Sequence, residues 1–91
     1  MRVVGDIGFK SSIFAMSDRL SSLRLFTRVA RRGSFSAAGR ELGLPQSTAS
    51  RMIAQLERDL GAALLVRNTR AVTLTDAGAD FLLRLEPILR N

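Results

Sequence analysis

Gln46, Ser47, Thr48, Ser50 and Arg51 place a carboxamide, three hydroxyls and a guanidinium within a six-residue window. All of these groups donate hydrogen bonds and all but the guanidinium accept them, which suits them to base edges in a DNA groove. They are poorly suited to covalent chemistry. The sequence has no Cys, His, Trp or Tyr, which removes thiolate and imidazole nucleophiles, His-assisted serines, disulfides and the usual soft metal ligands. The acids Asp6, Asp18, Glu41, Glu57, Asp59, Asp76, Asp80 and Glu86 are scattered. Most neighbour an arginine or a helix start, where structural roles account for them. No enzyme activity, metal site or cofactor is therefore expected.

A formal charge of +6 comes from thirteen Arg and one Lys against eight acids, the footprint of a polyanion binder. Charge alone does not separate nucleic acid from a membrane surface, and the arginine skew also follows from genomic base composition. With 91 residues, 46% apolar and only five aromatics, the chain has room for one domain with a small core of Leu, Val, Ile and Ala. A second, ligand-binding domain does not fit, so no small-molecule site is expected within it. No run approaches the roughly 18 apolar residues of a membrane span. Gly5, Asp6, Gly8 and Lys10 interrupt any signal-peptide core in the first fifteen residues, and the expected location is cytoplasmic, on the nucleoid. Residues 1–16 lack helical and strand periodicity, and read either as a disordered N-terminal extension or as residues ahead of the true start.

Four helices and a hairpin must position the polar window. Asp18 is a suitable N-cap for a first helix over about 19–32, with Leu20, Leu23, Phe26, Val29 and Ala30 on its buried stripe. Gly33 stops it. Ser34 caps a short second helix that turns Phe35, Ala38 and Leu42 to the core, and Gly39 within it points to close packing. Gly43 ends that helix. The third starts at Pro45 or one residue later, since proline is tolerated in a first turn. Its apolar face is Ala49, Met52, Ile53, Leu56 and Leu60, and Gly61 is its stop. Leu64–Arg67 and Val72–Thr75 are β-prone, with Asn68, Thr69 and Arg70 as the loop between them. Thr75 then caps a fourth helix striped by Ala77, Phe81, Leu85, Ile88 and Leu89, which runs to the chain end with a kink or early stop expected at Pro87.

This order predicts a mainly α fold, a winged helix-turn-helix of three helices and a two-stranded wing over 17–75, followed by a long helix over 76–91. Within it stand Leu23, Phe26 and Val29; Gly33-Ser34-Phe35-Ser36 leading into Ala37-Ala38; Ser50-Arg51; Leu56-Glu57; Leu60-Gly61; Leu64, Arg67 and Arg70; and Leu74-Thr75 with Ala77-Gly78. By these marks, in this order, the sequence resembles the N-terminal domain of LysR-type transcriptional regulators over about residues 17–91.

The resemblance implies a bacterial transcription factor that binds double-stranded DNA. Its reading helix, about 46–60, would enter the major groove, and its wing, 64–75, would lie on the adjacent backbone or minor groove. Carried over by position, Gln46, Ser47, Thr48 and Arg51 are groove readers, Ser34 and Ser50 phosphate contacts, and Arg67 and Arg70 wing contacts. Arg67 has a structural alternative, a pair with Glu57. The last helix would link two copies into a homodimer on an inverted repeat through Ala77, Phe81, Leu85, Ile88 and Leu89, unless Phe81 and Leu85 cover the domain's own core. The family's metabolite-binding effector domain lies outside this sequence. Pro45 stands where the family often has a hydroxyl, Leu65 replaces a frequent phenylalanine, and Thr48 a frequent small apolar residue or proline. A different class of function stays open, a winged-helix protein-interaction module without sequence-specific DNA binding.

Overall fold

In a computed structural model, which describes residues 19–68 and 71–90, the helix–helix–helix–hairpin–helix order expected from the sequence is observed. The described part of α1 covers 19–32, followed by α2 (Phe35–Leu42), α3 (Gln46–Leu60), β1 (Leu65–Arg67), β2 (Val72–Leu74) and α4 (Asp76–Arg90). Residues 1–18, including the expected Asp18 cap, and Thr69, Arg70 and Asn91 lie outside the described residues.

Ser34 caps α2 as expected, its Oγ accepting from the Ala37 amide at 3.1 Å, a contact worth about 1 kcal/mol. Gly33, Gly43 and Gly61 all have positive φ, and the last two close α2 and α3 with amides turned back onto the final carbonyls. Pro45 begins α3 in extended conformation without a side-chain cap. Thr75 does two jobs at the last junction. Its Oγ1 accepts from the Gly78 amide at 2.9 Å and donates to the Ala63 carbonyl at 2.6 Å, so the start of α4 is tied to the segment before the wing.

Leu25, Phe26 and Val29 of α1, Phe35 and Ala38 of α2, and Ala49, Ile53 and Leu56 of α3 form the core with Leu64, Leu65 and Leu85. Two apolar expectations and one helix stop need correction. Leu25 is fully buried, whereas Leu20 is 46% exposed. The buried arc of α1 is centred on Leu25, Phe26 and Val29, and Phe81 of α4 packs on Phe26, ring centroids 5.6 Å apart. Leu60 is also 46% exposed, at the last turn of α3 where the helix outruns the core. Pro87 does not stop α4, which continues to Arg90; proline there removes one backbone donor but leaves the remaining ladder to carry the helix.

The wing is a two-stranded antiparallel sheet with Leu65 opposite Leu74, Val66 opposite Thr73 and Arg67 opposite Val72. One backbone bond and one side-chain carboxylate hold it against the helices. The Val72 amide donates to the Gly33 carbonyl at 3.2 Å, and Glu57 Oε2 accepts from the Leu64 and Leu65 amides at 2.7 and 3.1 Å. Gly78 is buried against Leu64, where an added Cβ would run into the Leu64 carbonyl oxygen. That close approach sets α4 beside the base of the wing. Among the described residues, no helix is long and apolar enough to cross a membrane.

Candidate nucleic-acid interface

The N-terminal turn of α2, the N-terminal turn of α3 and the wing enclose a polar crevice whose walls include Ser34, Ser36, Gln46, Ser50, Arg67 and Asn68. The α2–α3 turn brings the first two together. The Leu44 amide donates to the Gly39 carbonyl at 2.7 Å, and a Cβ on Gly39 would stand 2.7 Å from the Leu44 oxygen. This contact explains the buried glycine, which packs against its own turn, with Ala49 of α3 also beside it, so that the close packing expected at Gly39 is observed. It leaves the start of α3 close enough to α2 for Ser36 Oγ to donate to Gln46 Oε1 at 3.1 Å.

Neither α2 nor α3 has an acidic residue in its first turn, in contrast to α4, which opens on Asp76. The positive ends of the first two helix dipoles are thus uncompensated where they border the crevice. Among the described residues, no carboxylate lines it. Glu41, Glu86 and Asp80 are paired elsewhere. Glu41 pairs with Arg28, at 3.4 Å, and with Arg32; Glu86 pairs with Arg31 at 3.1 Å and Asp80 with Arg84 at 3.2 Å. These ion pairs are solvent-facing and each adds little stability. Their consequence is electrostatic, because negative charge is drawn away from the crevice.

Arg67 does not pair with Glu57. The Glu57 carboxylate is engaged by the Leu64 and Leu65 amides, and the Arg67 guanidinium lies 4.2 Å from the centroid of the Phe35 ring. The aromatic face holds a cation without neutralising it, so a charged group stays at the mouth of the crevice.

The polar residues expected on α3 separate onto two flanks. Gln46 and Ser50 border the crevice. Thr48 and Arg51, with Met52, Gln55 and Arg58, line a shallow surface on the other side, and Ser47 is exposed. Among the described residues Arg51 has no carboxylate partner, while Arg58 donates to Gln55 Oε1 at 2.7 Å and Gln55 in turn to Asp59 at 2.9 Å. Arg70 lies outside the described residues. Ser36 and Phe35 were missed as interface residues by sequence reasoning. Phe35 reads as a core residue, and the partner of Ser36 is ten positions away across a turn, where no helical or strand periodicity connects them.

The five apolar residues expected at a dimer seam are also divided. Leu85 is buried in the domain's own core, and Phe81 and Leu89 pack against it; Ala77 and Ile88 are exposed. Leu83 and Ile88, at 70% and 67% exposure, are the large apolar side chains that α4 turns to solvent.

Residues 20–79 match the model of the bacterial regulatory helix-turn-helix protein, lysR family. The chain belongs to the LysR family. The LysR-type relatives include the HTH-type transcriptional regulator YfeR of Shigella flexneri, 47% identical over 74 residues, and y4mQ of Sinorhizobium fredii, 54% identical over 63 residues. These matches take in 81% and 69% of this chain but only 24% and 21% of the relatives, so the chain spans less than a quarter of their length. Among solved structures, the complex of the BenM DBD with catB site 1 DNA superposes with a TM-score of 0.75 at 38% identity, covering 79% of this chain and 80% of that one. The CbnR DBD–DNA complex gives 0.73 at 38% identity, covering 77% and 80%. The LysR-type domain described here is a helix-turn-helix DNA-binding regulatory module and not an enzyme fold.

Proposed function

We propose that this LysR-type domain binds double-stranded DNA sequence-specifically as part of a transcriptional regulator. In this reading α3 enters the major groove and the wing rests on the adjacent backbone or minor groove. The observation that carries it is the crevice, which no carboxylate among the described residues lines and where two uncompensated helix N-termini, Ser34, Ser50 and Arg67 face one space. Such a surface takes phosphate oxygens. Ser34 can do so without giving up its cap, because its oxygen accepts from Ala37 while its hydroxyl proton remains available. Phosphate contacts supply affinity and register. Gln46, Ser47, Thr48 and Arg51 supply discrimination, with Arg51 the residue for bidentate contact to guanine, and Arg70 joins Arg67 at the wing.

One reading helix contacts few base pairs, so two copies joined through α4 on an inverted repeat complete the proposal. Residues 76–91 then serve as linker and dimerisation helix, with Ala77, Ile88 and the exposed edge of Phe81 as the expected seam and Leu83 on the opposite flank. Leu85 and Leu89 contribute by holding α4 on the core. The location consistent with this role is the nucleoid. Selection of bound duplexes from a random pool tests the whole reading, with an enriched inverted repeat as the expected result. Recovery of no preferred sequence, with retention of a protein partner through the same face, would favour the protein-interaction module.

A further inference from the structure

The geometry points to Ser36 as a specificity-determining positioning residue, which locks the Gln46 carboxamide in one orientation and so fixes what Gln46 offers to a base pair. This rests on the reading of the crevice as a DNA surface and deepens it. Gln46 is the first residue of α3 and is exposed. A glutamine in that position has a long side chain whose carboxamide turns over readily, exchanging its donor for its acceptor and accommodating several base edges. Here Oε1 accepts from the Ser36 hydroxyl at 3.1 Å. The carbonyl end therefore faces α2, between two helix N-termini with no acidic residue in their first turns. Their partial positive charge favours the oxygen over the amide nitrogen on that side.

With the oxygen held inward, the Nε2 amide group projects away from α2, and the second lone pair of Oε1 stays free beside it. Acceptor and donor then stand in a fixed order across the groove. Adenine presents a matching N6 donor and N7 acceptor side by side, whereas thymine presents O4 and a methyl group and guanine two acceptors. A carboxamide of fixed polarity thus reads adenine on one strand of the duplex; a freely turning one also accepts guanine or thymine by donating alone. The positioning is possible only because Gly39 lets α2 and the turn before α3 approach closely.

The test is selection from a random duplex pool with the full chain, its Ser36→Ala, Ser36→Thr and Gln46→Ala variants and the Ser36→Ala/Gln46→Ala double variant, followed by affinities for the selected site and for its single-base changes. Wild type is expected to require adenine at one position that Gln46→Ala leaves unspecified. Ser36→Ala should lower discrimination at that same position by roughly three- to tenfold, Ser36→Thr should restore it, and Ser36→Ala should cost nothing further in the Gln46→Ala background. Undiminished discrimination by Ser36→Ala overturns the inference. So does an equal loss on selected and random duplexes, which would make the hydroxyl a phosphate contact. Absence of any enriched site with wild type is a separate result, which defeats the DNA-binding reading itself.

Discussion

Arg51 and Arg67 carry the same charge and sit on the same small domain, yet the structure gives them different surroundings. Arg51 projects from the outer flank of α3 with no carboxylate partner among the described residues, free to approach a base edge. Arg51→Ala is expected to cost about 1–3 kcal/mol on the preferred site and less on random duplex; filter binding or fluorescence anisotropy on both duplexes measures the difference, and equal losses would reassign it to phosphate. Arg67 is stacked on Phe35, a placement that fixes its direction. Its loss should weaken binding to all sequences alike, with a shallower salt dependence as the readout.

At the scale of elements, the wing is held less by its own three-residue strands than by what the helices offer it. Glu57 is the clearest case. Its single carboxylate oxygen satisfies two part-buried amides at the base of the wing, and Glu57→Ala leaves both without a partner. The expected loss is about 2–3 kcal/mol, measured by urea denaturation, with Glu57→Gln losing less because it retains an acceptor. Gly78 makes a similar argument through volume. A methyl group there meets a backbone carbonyl that cannot rotate away, so Gly78→Ala should destabilise by about 3 kcal/mol, seen as a fall in Tm on the order of 15 °C for a domain of this size.

For the whole molecule, the decisive division is between the face of α4 that closes the core and the faces that do not. Leu85→Asp places a charge among Phe26, Ile53 and their neighbours and should abolish cooperative unfolding. Phe81→Asp should weaken the fold through the lost tilted ring contact with Phe26. An Ala77→Asp/Ile88→Asp variant, changed only at exposed positions of the expected seam, should keep the native circular dichroism spectrum while sedimenting as a monomer; a dimer that survives it would place the seam elsewhere. If a dimer neutralises on the order of six phosphates, log affinity should fall with log salt at a slope of about −5.

The sequence by itself determined the elements and their order. Apolar spacing, Ser34 and Thr75 as caps, the glycine stops and the β-prone runs around Asn68 are local signals, and each acts through the few residues beside it. It also determined the chemistry of α3, because residue type alone decides what can donate or accept. Tertiary structure decided which flank of each helix is used. Leu25, left off the expected stripe of α1, is buried, and Leu20, placed on it, is exposed; the spacing within α1 did not carry that information. The pairings Ser36 with Gln46, Phe35 with Arg67 and Glu57 with the Leu64 amide join residues that periodicity within a single element does not relate. They depend on how closely the backbones approach at Gly39 and Gly78, a property of packed volumes that appears only once the helices and wing are assembled.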